Sequence, residues 1–308
     1  MPFVFDPILR QKNHSRMDDG IKAILAGESG SRYHLVDVRN RVIDEIHPFE
    51  SLLTRPNLEC VKVRKEDVEN GYRVDHIFNI DQCEMLLSLS RSFLSEGIED
   101  SFSAKEVDGE LLIKVINDCG ALRSVIDAVD AFTGVSNYVW NVKFVSKSPS
   151  SRNHADLWHY DNHYPRSCTK VLIYLNPQLS EQGSTELVDA KTSYSFSKTT
   201  QYIGLLSQRK MFQQFASKDE LQGRKFFESI YRFVPSTSGA ALIFHSSKCL
   251  HRAIPPLSGE RHALAFSLMP LLDKDLEAGV LPEKISLEAL QSAQLKKYIS
   301  DYVPILVV

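Results

Sequence analysis

The pattern of apolar and polar positions predicts helices first along the chain and strands later. Over residues 81–94, apolar positions recur at helical spacing after a start that resembles a capping box, with Asp81 as the cap and Glu84 three positions on. A second helix is predicted over 121–132, with Gly134 just past its end. Each helix has one apolar face, so we expect both to pack against the same face of a sheet.

From residue 137 onward the period changes to two. Tyr138, Trp140, Val142 and Phe144 alternate with mostly polar residues, which is typical of a half-buried strand. Further predicted strands cover residues 33–38, 169–175, 184–188, 239–244 and 261–269. Short strands that follow helices and are separated by turns indicate an α+β fold with a mainly β core, a barrel or sandwich with helices outside it.

The chain of 308 residues, 43% of them hydrophobic, is long enough to bury a sizeable core. We predict one domain over residues 1–308, with a helical and mixed support region over 1–100 and the strand-rich core over 135–270. Residues 191–234 interrupt the β pattern with helical signals and are predicted to form a lid-like insert. A partly helical tail is predicted over 271–308.

Composition excludes several classes of function. The net charge is −3, the pI is about 6.4 and no basic stripe is visible, so the sequence gives no support for nucleic-acid binding. No run of apolar residues is long enough for a membrane span, and the N-terminus lacks the layout of a signal peptide. Five cysteines without a CxxC pair indicate reduced thiols. We expect a cytoplasmic protein that acts on a small molecule, and its oligomeric state stays open.

Two histidines and one aspartate form a candidate metal site. His159 and Asp161 are two positions apart, so in a strand both side chains point to the same face. His251 follows a predicted strand and can supply a third ligand. Two histidines and one carboxylate hold non-haem Fe(II) and leave coordination positions open for a co-substrate and O₂. The pattern therefore predicts an oxygenase.

The strand that begins at Arg261 suits a dicarboxylate co-substrate. Arg261 shares a face with Ala263, Ala265 and Ser267, so one long cation is followed by small residues that leave room for a ligand. Arginine binds a carboxylate through two parallel hydrogen bonds. The opposite face, with three apolar residues, is a packing face.

A His-x-Asp pair alone is weak evidence, because the chain contains a second one at His154 and Asp156. A single histidine is more often a hydrogen-bonded structural residue than a ligand, and a single arginine is more often part of a surface ion pair. The combination of His-x-Asp, a distant histidine and an arginine on a strand of small residues is far more specific. His154 and Asp156 remain rival ligands at this point.

The segment from Tyr138 to Met269 resembles the phytanoyl-CoA dioxygenase family of Fe(II)/2-oxoglutarate oxygenases. The resemblance is carried by residues 144–149, 159–164, 183–188 and 238–244, together with His251 and Arg261. Residues 159–164 read His-Tyr-Asp-Asn-His-Tyr, similar to the family's metal motif. The sequence departs from the family at 189–192, where Asp-Ala-Lys-Thr replaces Pro-Gly-Ser-His.

The resemblance implies a double-stranded β-helix of the jelly-roll or cupin-like type with flanking helices. It assigns His159, Asp161 and His251 to Fe(II) and Arg261 to the C5 carboxylate of 2-oxoglutarate. It also places Lys147 and Tyr174 against that co-substrate; for Lys147 a plain surface position and for Tyr174 a core position remain open.

The activity that the resemblance implies is oxidation of a C–H bond in a small metabolite. O₂ and 2-oxoglutarate are consumed, and succinate and CO₂ are released. Hydroxylation, ring closure and desaturation are the possible outcomes in a biosynthetic pathway, whereas the carboxylate of Asp161 argues against halogenation.

Several polar or aromatic residues are candidate substrate contacts, and their cations favour an anionic metabolite. They are Trp158, His163, Arg166, Arg232, His245 and Lys248. Two alternatives stay open. One is a cupin-like metal enzyme that does not use 2-oxoglutarate, and the other is a metal-free β-barrel binding protein.

Overall fold

The computed structural model describes residues 63–94, 101–103, 109–150, 152–161, 168–177, 183–204, 206–217, 220–277 and 279–285. The strand predicted at 33–38 and the helical tail predicted beyond residue 285 lie outside these ranges. Within them, no helix combines the length and the apolar character needed to cross a bilayer.

The helices are α1 (Lys65–Asn70), α2 (Ile80–Leu94), α3 (Gly109–Asp118), α4 (Ala121–Thr133), α5 (Ala190–Thr200), α6 (Leu206–Lys210), α7 (Phe212–Phe215), α8 (Leu221–Glu228) and α9 (Asp273–Glu277). The strands are β1 (Tyr72–His76), β2 (Ser101–Ser103), β3 (Asn137–Lys147), β4 (Thr169–Tyr174), β5 (Ser184–Val188), β6 (Ile230–Phe233), β7 (Ala240–His245), β8 (His251–Ile254) and β9 (Arg261–Pro270).

The strands form two antiparallel sheets. The large sheet has the order β1-β7-β4-β9-β3-β2 and the small sheet has the order β6-β5-β8, to which His159 adds a single bridge beside His251. From β3 to β9 the chain passes repeatedly between the two sheets, as it does in a jelly roll of two packed sheets. The predicted double-stranded β-helix with flanking helices is thus confirmed by the strand order itself.

Helices α2, α3 and α4 cover the outer face of the large sheet, which confirms the packing expected of the two predicted helices and adds α3 to them. Leu122, Val125, Ile126 and Val129 of α4 are fully or almost fully buried in a core that also contains the outward side chains of β3, β4, β7 and β9. The helix ends at Gly134, whose left-handed conformation (φ 78°) lets its N–H bond to the carbonyl of Asp130.

The start of α2 lies earlier than predicted. The side chains of Asn79 and Gln82 each accept a hydrogen bond from the backbone N–H of the other, at 2.9 Å in both directions. This reciprocal pair is the capping box, so Asp81 is a residue of the first turn and not the cap. The predicted cap therefore lay two positions too late. Side chains of asparagine and glutamine can accept hydrogen bonds from the free backbone N–H groups at a helix start just as those of aspartate and glutamate can.

Strand β3 contains a bulge that splits its predicted apolar face. The register against β9 shifts between Val139 and Asn141, which leaves Trp140 as the extra residue. Beyond the bulge, Val142 and Phe144 pack in the core under the helices. At the bulge, Trp140 packs in a separate cluster with Cys168, Met269 and Leu271.

The insert packs on the outer face of the small sheet. Helices α5–α8 contribute Phe196, Phe212 and Phe226 to an aromatic cluster that includes Trp158 and Tyr160. Strand β6 at the end of the insert extends the small sheet by pairing with β5. The insert therefore packs against the segment that carries His159, on the side of Trp158 and Tyr160.

Candidate active site

His159 and His251 lie directly opposite each other at the edge of the small sheet. Each backbone N–H donates to the carbonyl of the other at 3.0 Å, and the two imidazole rings are 4.2 Å apart at their centroids. His251 begins β8, where pairing with Leu187 of β5 fixes it from the other side. The sequence analysis placed His159 and Asp161 on a strand, and the structure forms one bridge there, between His159 and His251.

Asp161 completes a buried donor set. Its N–H donates to the carbonyl of Ser246 at 3.0 Å, which anchors the segment beyond the bridge. Its carboxylate oxygens lie 3.7 Å from Nε2 of His159 and 3.7 Å from Nε2 of His251. The three ligand atoms all lie within 4.8 Å of one another, and the three residues are buried.

The orientation of both imidazoles suits metal binding. Nδ1 of His159 lies 2.7 Å from the carbonyl of Leu157, and Nδ1 of His251 lies 3.0 Å from that of Cys249. A carbonyl only accepts, so each Nδ1 carries the proton and each Nε2 presents a lone pair. Nε2 of His251 is buried and has no hydrogen-bond partner within the described ranges.

Burial keeps both histidines in the neutral form that a metal requires. It lowers the pKa of His159 well below the ordinary value, with the positive charges of His251 and Arg209 adding to the effect. Burial also lowers the pKa of His251 to about 4, although the carboxylate of Asp161 opposes this shift. At neutral pH, therefore, no proton competes with a metal ion for either Nε2.

The donor set fits a six-coordinate divalent ion. At bond lengths of about 2.1 Å, neighbouring ligand atoms around such an ion lie roughly 3 Å apart. The separations of 3.7 Å between Asp161 and the two histidines need only a small closure to reach that geometry. Two imidazoles and one carboxylate on one side of the ion match the two-histidine, one-carboxylate set of non-haem iron sites.

A cavity of about 410 Å³ connects the donor set to the inner face of the large sheet. The four residues of β9 predicted to share a face with room for a ligand all line it: Arg261, Ala263, Ala265 and Ser267. The alternate residues Leu264, Phe266 and Leu268 are buried in the core under the helices. The period-two pattern of β9 therefore corresponds to the two sides of the sheet.

Arg261 lies at one end of this floor. Its side chain is 3% exposed, and its Nη1 donates to the carbonyls of Ser184 and Ile254. Tyr174 lies below the guanidinium, with its ring centroid 5.8 Å from Cζ, and its hydroxyl is 2.9 Å from Oγ1 of Thr185. Arg261, Tyr174 and Thr185 all line the cavity, so a carboxylate there would meet a fixed cation and two hydroxyl groups.

Lys147 also lines the cavity, and an ion pair occupies its ammonium. Lys147 lies opposite Arg261 in the pairing of β3 with β9 and is 2% exposed. Its Nζ lies 2.5 Å from Oδ1 of Asp156. The other oxygen of Asp156 accepts from the N–H of Asn153 at 3.0 Å, in the capping box of a short 3₁₀ turn at His154–Asp156. Both oxygens of Asp156 are thus engaged and His154 is exposed, so this pair is not brought to the metal donors.

Lys170 of β4 was not singled out from the sequence. Its Nζ lies 2.5 Å from Oδ2 of Asp161, and the residue lines the cavity. A bound metal ion would share Asp161 with this ammonium. The period-two position of Lys170, on the same face as Leu172 and Tyr174, was a signal in the sequence that could have placed it there.

The predicted substrate residues that lie within the described ranges are not gathered at the cavity. The indole of Trp158 lies in the aromatic cluster, 5.0 Å from the ring of Phe226 and under the guanidinium of Arg252. Arg232 on β6 forms an ion pair with Glu186.

His245 packs on Phe132, with ring centroids 4.7 Å apart, and its Nδ1 lies 3.2 Å from Oγ1 of Thr169. Burial lowers its pKa to about 3, with Lys248 as a smaller cause. Trp158, Arg232, His245 and Lys248 are all absent from the cavity wall in the described part of the chain. His163 and Arg166 lie outside the described residues.

The insert contacts the segment that carries His159 and Asp161 and supplies none of the cavity-lining residues among those described. The hydroxyl of Tyr202 donates to the carbonyl of Trp158. Arg209, 7% exposed, donates to the carbonyls of Gly204 at 2.7 Å and Tyr160 at 3.4 Å. The hydroxyl of Tyr160 donates to the carbonyl of Ser193 at 2.9 Å. The described part of the insert thus supports the segment that carries His159, and the lid-like role of residues 191–234 stays a prediction.

Comparison with protein-family models and with curated proteins finds no match. Solved structures with a similar chain path include the non-haem α-ketoglutarate-dependent epimerase SnoN from nogalamycin biosynthesis, with 12% identity, a TM-score of 0.44, and coverage of 70% of this chain and 83% of that one. HygX from Streptomyces hygroscopicus with iron bound has 14% identity, a TM-score of 0.43, and coverage of 68% and 87%. EctD from S. alaskensis has 11% identity, a TM-score of 0.48, and coverage of 71% and 81%. The fold assignment rests on the strand order above, and the chemistry rests on the residues of the cavity.

Proposed function

We propose that the protein is a non-haem Fe(II)- and 2-oxoglutarate-dependent dioxygenase that oxidises a C–H bond of a small anionic metabolite. One observation carries the proposal. A single cavity contains the donor set of His159, Asp161 and His251 and, at the far end of its floor, the buried guanidinium of Arg261. A metal chelator that also carries a distal carboxylate fits both ends at once, and 2-oxoglutarate is such a molecule.

The roles of the residues follow from their positions. His159, Asp161 and His251 would hold Fe(II) from one side and leave the cavity side open. Arg261 would bind the distal carboxylate by charge-assisted hydrogen bonds beside Tyr174. Fe(II) with 2-oxoglutarate and O₂ would supply the oxidising chemistry, with succinate and CO₂ as co-products.

The residues around the two ends would position the co-substrate. Lys147 is held at the Arg261 end by Asp156 and adds a second cation there. The small side chains of Ala263 and Ala265 leave the floor open between the two ends. Hydroxylation, ring closure and desaturation are all compatible with this arrangement, and the position of the substrate C–H bond decides among them.

The proposal is tested first by anaerobic titration. The purified protein is titrated with Fe(II) in the presence of 2-oxoglutarate, and the visible charge-transfer band of the chelate is recorded. We expect a saturable band that His251→Ala abolishes, because one donor of the set is lost. Lys210→Met, a change at an exposed lysine on α6, is the control and should leave the band unchanged. A wild-type protein that gives no band contradicts the proposal.

The two alternatives give different results. A metal enzyme that does not use 2-oxoglutarate binds Fe(II) but releases no succinate with O₂, whereas the proposed enzyme releases slow, uncoupled succinate even without its substrate. A metal-free binding protein would leave Lys170 as the permanent partner of Asp161 and would bind neither Fe(II) nor Ni(II). Calorimetry with Ni(II) alone separates this case.

A further inference from the structure

We propose that Lys143 and Asn141 of β3 form a second anion-binding point, which holds a carboxylate or a similarly sized oxyanion of the primary substrate. The inference rests on the proposed function and adds the residues that select the substrate. Both residues line the cavity and are half-buried. Neither side chain has a hydrogen bond or an ion pair with any residue of the described ranges.

The sheet register gives these two side chains space. Lys143 lies opposite Ala265 of β9, and Asn141 lies opposite Ser267. Small neighbours across the strand leave the ammonium and the amide open to the cavity. The bulge at Trp140 comes before Asn141 and Lys143, so the regular alternation of β3 is unbroken from these residues to Lys147. Asn141, Lys143 and Lys147 therefore all face the cavity.

The charges in the cavity single out Lys143. Lys147 is paired with Asp156, and Lys170 is paired with Asp161. Arg261 is matched by the distal carboxylate of the proposed co-substrate. Lys143 then remains the one cavity-lining lysine without an anionic partner among the described residues, and an anion from the substrate would supply that partner.

This anion-binding point lies away from the Arg261 end of the cavity floor. Lys143 lies four residues from Lys147 along β3, which is about 13 Å in a strand. Lys170, which reaches Asp161, is paired with Ser267, the residue also paired with Asn141. Asn141 and Lys143 thus lie at the metal end of the floor, where a bound substrate must place its reacting C–H bond.

The test uses protein loaded with Fe(II) and 2-oxoglutarate without O₂. Butyrate, methanesulfonate and butyramide are titrated separately, and the change in the charge-transfer band gives each dissociation constant. We expect the two anions to bind and perturb the band, and the neutral amide to have no effect. Lys143→Met should weaken anion binding about tenfold or more, since a charge-assisted hydrogen bond is lost. Lys143→Arg should restore much of it.

These measurements distinguish a failure of the anion-binding inference from a failure of the proposed oxygenase function. In Lys143→Met, the affinity for 2-oxoglutarate should change less than about twofold, as in the control Lys210→Met. If 2-oxoglutarate binding is lost instead, Lys143 serves the co-substrate and the inference is wrong. Equal binding of butyrate and butyramide, or no effect of either anion on the wild type, also overturns it while the chelate band still supports the oxygenase. Failure of the band itself removes both.

Discussion

His159 and His251 are joined by two reciprocal backbone hydrogen bonds, so the spacing of the two metal-facing imidazoles is set by main-chain geometry. Opposed residues in an antiparallel bridge point to the same side, which is why the rings lie 4.2 Å apart at their centroids. The third donor, Asp161, lies on the same segment as His159, beyond one intervening residue. The candidate metal site therefore depends on a short segment that pairs with β8 at His251 and is anchored on the carbonyl of Ser246.

Replacement of Arg261 should weaken co-substrate binding without removing the metal. Arg261→Met should raise the dissociation constant of 2-oxoglutarate by about tenfold to a hundredfold, because charge-assisted hydrogen bonds contribute about 1.5–3 kcal/mol. Arg261→Lys keeps the charge but loses the two parallel bonds, so it should lie between. The band titration measures both, and calorimetry with Ni(II) should show unchanged metal binding. A similar loss of Ni(II) affinity would contradict the assigned role.

Removal of Asp156 should destabilise the fold. Asp156→Ala leaves the ammonium of Lys147, which is 2% exposed, buried without its partner. A broken buried pair costs about 3 kcal/mol or more. Urea denaturation should therefore show a lower unfolding free energy for Asp156→Ala. The double variant with Lys147→Met should recover part of that loss, and no recovery would show that the pair is not coupled.

Much of this site could be predicted from local sequence pattern. The alternation along Arg261–Pro270 assigns four residues to the cavity and three to the core, because a strand has a period of two wherever it pairs regularly. The helix at 121–132 was predicted within one residue of its observed end, since its apolar face and Gly134 agree. The strand at 184–188 has its predicted bounds.

Features that depend on distant contacts could not be predicted. Lys147 meets Asp156 only because a 3₁₀ turn after β3 folds back, and no spacing rule encodes that turn. The support given by the insert arises from backbone carbonyls of Trp158 and Tyr160, which carry no side-chain signal. Trp158 and Arg232 were predicted near the substrate from residue type alone, and their aromatic and acidic neighbours lie on other elements.

Lys170→Met should raise the affinity for divalent metal. The ammonium lies against the carboxylate that a metal ion must share, so its charge opposes the ion. We expect the dissociation constant of Ni(II) to fall by about tenfold, a change of about 1.4 kcal/mol. Calorimetry measures the change, with Lys210→Met as the control. Weaker binding in Lys170→Met would show that the lysine chiefly orients Asp161.

Gly204→Ala should weaken metal binding from outside the cavity. Gly204 has φ 75°, and an added Cβ would lie 3.0 Å from the backbone N of Tyr160, next to His159. Gly120 is a matched control, since its φ is 67° and no atom of the described residues lies within 4 Å of an added Cβ. Both variants should lose about 1 kcal/mol of stability from the left-handed backbone. Only Gly204→Ala should also weaken Ni(II) binding, and equal metal affinities would contradict the support role.

The stability of the metal-free protein should fall in mild acid, partly through His245. Its pKa is about 3 in the folded protein and near 6.5 when unfolded, so between these values the unfolded chain binds more protons. The contribution of His245 to the free energy of unfolding is therefore complete above pH 6.5. Below that pH the contribution falls by about 1.4 kcal/mol per pH unit. Urea denaturation from pH 7 to pH 5 should show a shallower slope for His245→Gln. An unchanged slope would mean that His245 is not held neutral by the fold.

The insert holds residues 158–160 through Tyr202, Arg209 and Gly204. The residues of the candidate metal site therefore come from two different parts of the molecule. His251 belongs to a strand of the small sheet, whereas His159 and Asp161 belong to a segment held by Tyr202 and Arg209 of the insert. A bound ion would therefore lose part of its ligand set whenever these two parts separate. Substitutions at Tyr202, Gly204 or Arg209 would in this way change the affinity for a metal ion while every residue that lines the cavity stays the same.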